Sequence, residues 1–363
     1  MVLETYLRTH ILGGLYGQAL GDAWAMPAYL SPEHTWSHYQ GWLDTLHPAP
    51  ADHPVHAGLA AGQVTDDTEQ AMALAQTIIE QGQVTLAGSA QAIITWYDQI
   101  DGDNTPYVGP STRRAVAALK AGQDPRTTGQ RGDTNGGAMR ISPVGLIHPG
   151  DPDAAIEDAI IACTPTHFAG QGLAGACAVA AAVAQASAAD STLESIIEAA
   201  LHGADVGQRR GAPWLGASVA RKIELAVKYA TESNLSERER LQNLYDLIGS
   251  TLAAADSVPC AFGVLAMADG NPVYAAIYAA ALSGDADTVA AIACAIAGAW
   301  QGVEVIPADH LATIRQANPQ YDFEQTAAGL CKIALRNYQA HPPSAENTLL
   351  DNTLLDDIRN QES

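Results

Sequence analysis

Basic residues are what this chain has least of. Its 18 Lys and Arg stand against 40 Asp and Glu, a net charge of −22. Phosphate backbones are held by clustered Lys and Arg, so this balance excludes a nucleic-acid partner. The same sign argues against a membrane partner with an anionic surface. Cysteine is scarce as well. Cys163, Cys177, Cys260, Cys294 and Cys331 form no Cys-x-x-Cys pair and are odd in number. Set among small apolar residues, they read as reduced core thiols, which points to a cytoplasmic compartment. No strongly apolar run reaches the roughly 18–20 residues a membrane span needs. The longest candidate, 172–184, is mostly Ala and Gly and reads as a buried helix. Residues 1–5 lack the basic n-region of a signal peptide. Runs of alternating polarity are missing too. The expected fold is therefore all-α, a single compact multi-helix domain over 1–340, followed by a polar acidic tail, 341–363.

What is present is helix punctuation. Thr65 stands at an N-cap position, with Asp66 and Asp67 in the first turn ahead of the apolar positions Met72, Leu74, Ala75, Ile78 and Ile79. Residues 283–288 repeat that grammar, with Asp285, Asp287 and Thr288 at the head of another apolar helix, 289–300. Either stretch alone reads as a well-capped helix, since an acidic side chain near a helix N-terminus gains about 0.3–1 kcal/mol from the dipole. Two such heads meeting in space would make a cage of oxygens. Carboxylates and hydroxyls without His or Cys suit Mg²⁺, Ca²⁺ or Mn²⁺ rather than zinc.

The rest of the chain fills in around these heads. A first helix is expected over 5–20, with Gly13, Gly17 and Gly21 along one face for a close helix contact or a nearby ligand. Asp22 would follow at its C-terminal end, where the dipole disfavours a carboxylate, a hint of function. Residues 28–62 read as a long irregular loop, with His34, His38, His47 and His53 on its surface, since they lack metal-ligand spacing. The Gly-Gly pair in 134–140 lets backbone N–H groups approach an anion or a ribose, or simply makes a turn. Asp101 and Asp103 suggest an EF-hand, but no Gly at the sixth position and no closing Glu follow. Arg209, Arg210 and Trp214, in a Gly- and Pro-bearing loop, could meet a phosphate and a base, or simply balance charge on a surface loop. Further helices are expected at 68–81, 86–99, 111–121, 151–163, 168–188, 192–203, 216–231, 236–249, 257–268, 272–282, 286–301, 307–316 and 323–340.

Four segments, in order, resemble the ADP-ribosylglycohydrolases, also called the dinitrogenase-reductase-activating glycohydrolase family. They are GGLYGQALGDA at 13–23, TDDT at 65–68, TNGGAMR at 134–140 and GDADT at 284–288. The similarity looks closest to the bacterial branch found beside sugar-kinase-like proteins. It implies a binuclear metal site of two divalent cations, Mg²⁺ or Mn²⁺, held by Thr65, Asp66, Asp67, Asp285, Asp287 and Thr288. Asp66, Asp67 and Asp287 would be catalytic, and the loop at 28–62 a lid. Asp22, Gly109, Asn135, Gly136, Gly137, Met139, Arg140 and His167 would contact the substrate. That substrate would be ADP-ribose-like, another ribosyl small molecule or an ADP-ribosylated protein, cleaved at the anomeric carbon through an oxocarbenium-like transition state. Two departures stand out. Many members carry glycine where Ala25 stands and an acid where Tyr29 stands. Some carry an acid just before the Gly109 position, where Tyr107 and Val108 stand here. The proton donor is thus unassigned, and a small-molecule nucleosidase or a non-catalytic ADP-ribose-binding protein remain alternatives.

Overall fold

A computed structural model describes residues 2–340; the tail expected at 341–363 lies outside the described residues. Among the described residues every regular element is helical, and the only extended pairings are the isolated bridges Thr134–Ala253 and Ala169–Ala212. The all-α expectation holds.

The architecture grows from small residues that let backbones touch. The first helix, Val2–Ala25, lies antiparallel to the helix Ala286–Gln301 along its glycine face. A Cβ at Gly17 would sit 2.1 Å from the Cys294 carbonyl oxygen, and one at Gly21 would sit 2.2 Å from that of Ala290. A glycine inside a helix costs about 1 kcal/mol against alanine, and this contact offsets it. The helix runs past the expected Leu20 because Ala23, Trp24 and Ala25 are all buried. Burial of those side chains overrides the weak propensity of a Gly-Asp pair, so Asp22 lies inside the last turn rather than beyond it.

The seam sets the site, because it brings the C-terminal end of one helix to the N-terminal head of the other. A third helix, Asp66–Gln81, is tied in by the Gln18 amide, which donates to the backbone oxygens of Asp67 at 2.8 Å and Met139 at 2.9 Å. Behind them runs Gly170–Ala186, buried at every residue, with Pro152–Cys163 and Leu193–Arg210 packed on it. Ala254–Met267 and Pro272–Leu282 complete the core.

Other expectations shift locally. The segment 236–249 divides into Glu237–Asn243 and a π-helical turn, Leu244–Ile248. The 28–62 stretch is not irregular throughout, since Ser31 caps a helix at Pro32–Tyr39. Nor is His53 on the surface. It is 5 % exposed, bonded through Nε2 to the Ala28 carbonyl at 2.9 Å, and its Nδ1 accepts from the backbone of Val55 and His56. Proline-rich chain without periodicity still needs its backbone groups satisfied, and a buried imidazole does so here.

Candidate active site

The second acidic head depends on an unusual turn. Ser283 (φ 65°) and Gly284 (φ 75°) both have left-handed φ values ahead of Asp285. At a serine this conformation costs about 1–3 kcal/mol. It is held because the Ser283 hydroxyl pairs with Thr35 Oγ1 at 2.7 Å and its carbonyl accepts from Ser250 Oγ at 2.8 Å. Gly284 has no alternative, since a Cβ there would sit 2.2 Å from the Ser250 carbonyl oxygen. The turn points Asp285, Asp287 and Thr288 into a cavity of about 560 Å³, where Asp66 and Asp67 form part of the facing wall.

Thr65 and Asp22 do something the sequence does not suggest. Thr65 occupies the N-cap of Asp66–Gln81 without capping it through its side chain. The Asp22 carboxylate caps that helix instead, from another part of the chain. It accepts from Thr65 N at 3.0 Å, Thr65 Oγ1 at 2.8 Å, Thr68 N at 3.1 Å and Thr68 Oγ1 at 2.6 Å. Asp22 and Thr65 therefore stand one layer behind the cavity wall and hold the Asp66–Asp67 turn in place.

The proposed substrate residues divide the same way. Gly109, Asn135, Gly136 and Met139 line the cavity, together with Thr134. Arg140, Gly137 and His167 are buried beside it. The Arg140 guanidinium donates to Gln70 Oε1 at 3.1 Å, to the Gly136 carbonyl at 2.8 Å and to Thr166 Oγ1. Gln70 in turn donates to Asp66 Oδ2 at 3.1 Å, and His167 pairs with Thr166 and, through Nε2, with Thr134 Oγ1 at 3.1 Å. The buried cation thus balances the carboxylates from the second layer. Burial first, and then Arg140 and Arg114, hold His167 well below the usual histidine range, so it is a neutral ring. Gly137 is required for packing, since a Cβ there would lie 2.9 Å from His167 Cβ. Arg209 and Arg210 are not in a loop as expected but in the last turn of Leu193–Arg210, which runs past residue 203; Arg210 pairs with Glu157, and Trp214, in the loop beyond, donates to Asp133.

Crowded negative charge dominates the electrostatics. Burial, and after it the charge of Asp287, push Asp66 and Asp67 well above the ordinary carboxylate range. Burial also lifts Asp22 to about 7, against the Thr68 and Thr65 hydrogen bonds, and lifts Asp285 to about 7 with help from Asp287. Asp287 goes the other way. Burial would raise it, but the His56 ring, with Nε2 at 2.9 Å from Asp287 Oδ2, outweighs burial and holds it low. Burial would lower His56, yet the hydrogen bond and charge of Asp287, with Asp22 and Asp285 behind, leave it raised. Sequence reasoning missed His56. It lies in a stretch without periodicity, and only the tertiary fold brings it to Asp287.

A hard divalent cation fits this donor set. The donors are carboxylate and hydroxyl oxygens, and the Asp67 Oδ1 atom is buried with no hydrogen-bond partner. Among the described residues, no group of three or more His, Cys, Asp or Glu side chains is arranged to hold a metal ion as it stands. Asp285 and Asp287 each commit an oxygen, to Asn135 and to His56. The carboxylates flank the space and would turn onto an ion.

The position where the resemblance leads one to expect an acid turns away. Tyr29 donates its hydroxyl to Asp52 Oδ1 at 2.8 Å and stacks on His34 with centroids 3.7 Å apart, while its neighbours Ala28 and Leu30 line the cavity. Tyr107 and Val108, by contrast, do line it.

The all-α scaffold presents two acidic helix heads to one cavity. The profile of the ADP-ribosylglycohydrolase family matches residues 4–342, and the chain belongs to that family. It is 34 % identical over 324 residues to the uncharacterized protein YegU of Escherichia coli (strain K12), covering 89 % of this chain and 96 % of that protein. To the ADP-ribosylarginine hydrolase Tri1 of Pseudomonas putida (strain GB-1) it is 28 % identical over 262 residues, 69 % of this chain and 62 % of that protein. The fold matches a solved structure titled "ADP-ribosylglycohydrolase-related protein complex" with a TM-score of 0.64 at 22 % identity, covering 91 % of this chain and 99 % of that one.

Proposed function

We propose that this enzyme hydrolyses an ADP-ribosyl or related ribosyl N- or O-glycosidic bond with two divalent cations, Mg²⁺ or Mn²⁺, as cofactors. Asp66, Asp67, Asp285, Asp287 and Thr288, which line the cavity, would hold them, with Thr65 one layer behind. The observation that carries the reading is Asp67 Oδ1, a buried oxygen without a partner, facing Asp285 and Asp287 across one cavity. When bound, such ions supply a grip on vicinal ribose hydroxyls and acidify a water. Asp66, Asp67 and Asp287 hold the charge of that arrangement. Asn135 orients Asp285, and His56 orients Asp287. Thr134, Gly136, Met139 and Gly109 shape the wall against the sugar. Substrates would be an ADP-ribose-like or ribosyl small molecule, or an ADP-ribosylated protein; the arginine linkage in the name of the Pseudomonas putida relative belongs on the test panel.

The test is isothermal titration of Mg²⁺ and Mn²⁺ into the wild type, Asp67→Ala and Asp287→Ala. Each variant should lose divalent-ion binding together with any turnover. Undiminished binding in either one would rule out a shared site.

A further inference from the structure

The cavity holds two features that bear on which ribosyl compound enters. None of its lining residues is Lys or Arg, although four of them are Asp. A diphosphate or a 5′-phosphate would enter this space with no cation of the protein to meet it. Beside Asp287, the His56 and Tyr107 rings, both lining the cavity, form a tilted pair with centroids 6.2 Å apart and planes 37° from parallel. Two ring faces sandwich a third when they stand about 7 Å apart, two van der Waals gaps of roughly 3.5 Å. A small opening of the pair therefore admits a flat ring. His56 is 7 % exposed, and its Nδ1 has no hydrogen-bond partner. Tyr107 is half-buried, on a loop whose carbonyls at Gly102, Thr105 and Val108 are gathered by Arg113. The loop that carries Tyr107 is thus braced, and His53 backs the His56 ring with centroids 5.3 Å apart.

We infer that His56 and Tyr107 form a stacking slot for the leaving group, and that the substrate is a phosphate-free riboside of a planar heteroaromatic base, neutral or cationic. This rests on the ribosyl-hydrolase reading above and narrows it. The reaction balances with water alone. The C1′–N bond breaks, a water oxygen bonds to C1′, and the departing base takes a proton, giving free ribose and free base. A cationic base leaves with the bond's electron pair and needs no proton, which suits a site without an acid at position 29. The ring is held by stacking.

The experiment uses the full chain with Mg²⁺. Binding by calorimetry and turnover by chromatography are compared for nicotinamide riboside, adenosine, nicotinamide mononucleotide, ADP-ribose and methyl β-ribofuranoside, in the wild type, Tyr107→Phe and Tyr107→Leu. Nicotinamide riboside should bind and turn over at least about 10-fold better than its 5′-phosphate, and better than ADP-ribose. Tyr107→Leu should weaken riboside binding about 10-fold, the loss of one stacked ring face, and leave methyl ribofuranoside binding unchanged. Tyr107→Phe should keep riboside binding. Equal or tighter binding of the phosphorylated compounds would overturn the inference while the ribosyl reading stands. Equal loss of both ribosides and methyl ribofuranoside in Tyr107→Leu would do the same. Absence of binding by every ribose-bearing probe would overturn both.

Discussion

Asp67 carries the sharpest consequence at the residue scale. Five carboxylates, Asp22, Asp66, Asp67, Asp285 and Asp287, are buried within mutual influence, and four of them hold protons more tightly than usual. A carboxyl raised in the folded state keeps a proton that the unfolded chain has already released. Its effect is a loss of stability as pH rises from 3.8, the ordinary value, to about 7 for Asp22 and Asp285. His56, raised above 6.5, adds stability that is complete below that value and is lost as pH rises through its folded value. Asp287 is lowered, so its stabilisation is present above 3.8 and fades only as pH falls below it. Cation-free protein should therefore melt at a lower temperature at pH about 8 than at about 5, and added Mg²⁺ should raise the midpoint more at the higher pH. Scanning calorimetry with and without chelator checks this, and a cation-free midpoint that climbs with pH would contradict it. The carboxylates themselves were legible in the sequence, because paired acids at two helix heads need an explanation beyond the dipole. His56 and the capping role of Asp22 were not, because each is defined by a partner far away in the chain.

At the scale of the element, the glycine seam decides how the two halves of the site meet. In Gly21→Ala the new methyl group would gain about 1 kcal/mol of helix propensity. It would also sit 2.2 Å from a backbone oxygen of the facing helix, which has no side chain to rotate away. Forcing two packed helices apart costs about 1–3 kcal/mol or more, so a net loss of stability is expected. The shift should also weaken Mg²⁺ binding, because Asp22 and Asp285 are displaced relative to each other. Urea unfolding paired with ion titration tests both, and a variant at least as stable as wild type with intact binding would break the link. Spacing alone gave the stripe, and capping gave most helix positions; Leu86–Gln99 and Phe323–Ala340 run as expected. Where periodicity was absent the reading failed. The Pro32–Tyr39 helix carries a local signal that periodicity alone passes over, a Ser31 cap followed by Pro32 and Glu33, whereas no capping pattern marks the π turn at Leu244–Ile248.

For the whole molecule, charge and burial act together. A net charge of −22 should keep the protein off DNA and RNA at physiological salt. Micromolar retention of a duplex in fluorescence polarisation would be the contrary result. No helix among the described residues is long and apolar enough to cross a membrane, and all five cysteines are buried and unpaired. The seam also has a consequence in time. Gly13 packs on Gly298, so the helix synthesised first rests on one synthesised near the end. Contacts so distant in sequence close late and slowly. During translation the glycine face of the first helix stays open until most of the chain has left the ribosome, and the acidic cavity exists only once the last core helices dock. An incompletely made chain therefore has half of the acidic cluster and none of the pocket, so a formed cavity marks a finished molecule.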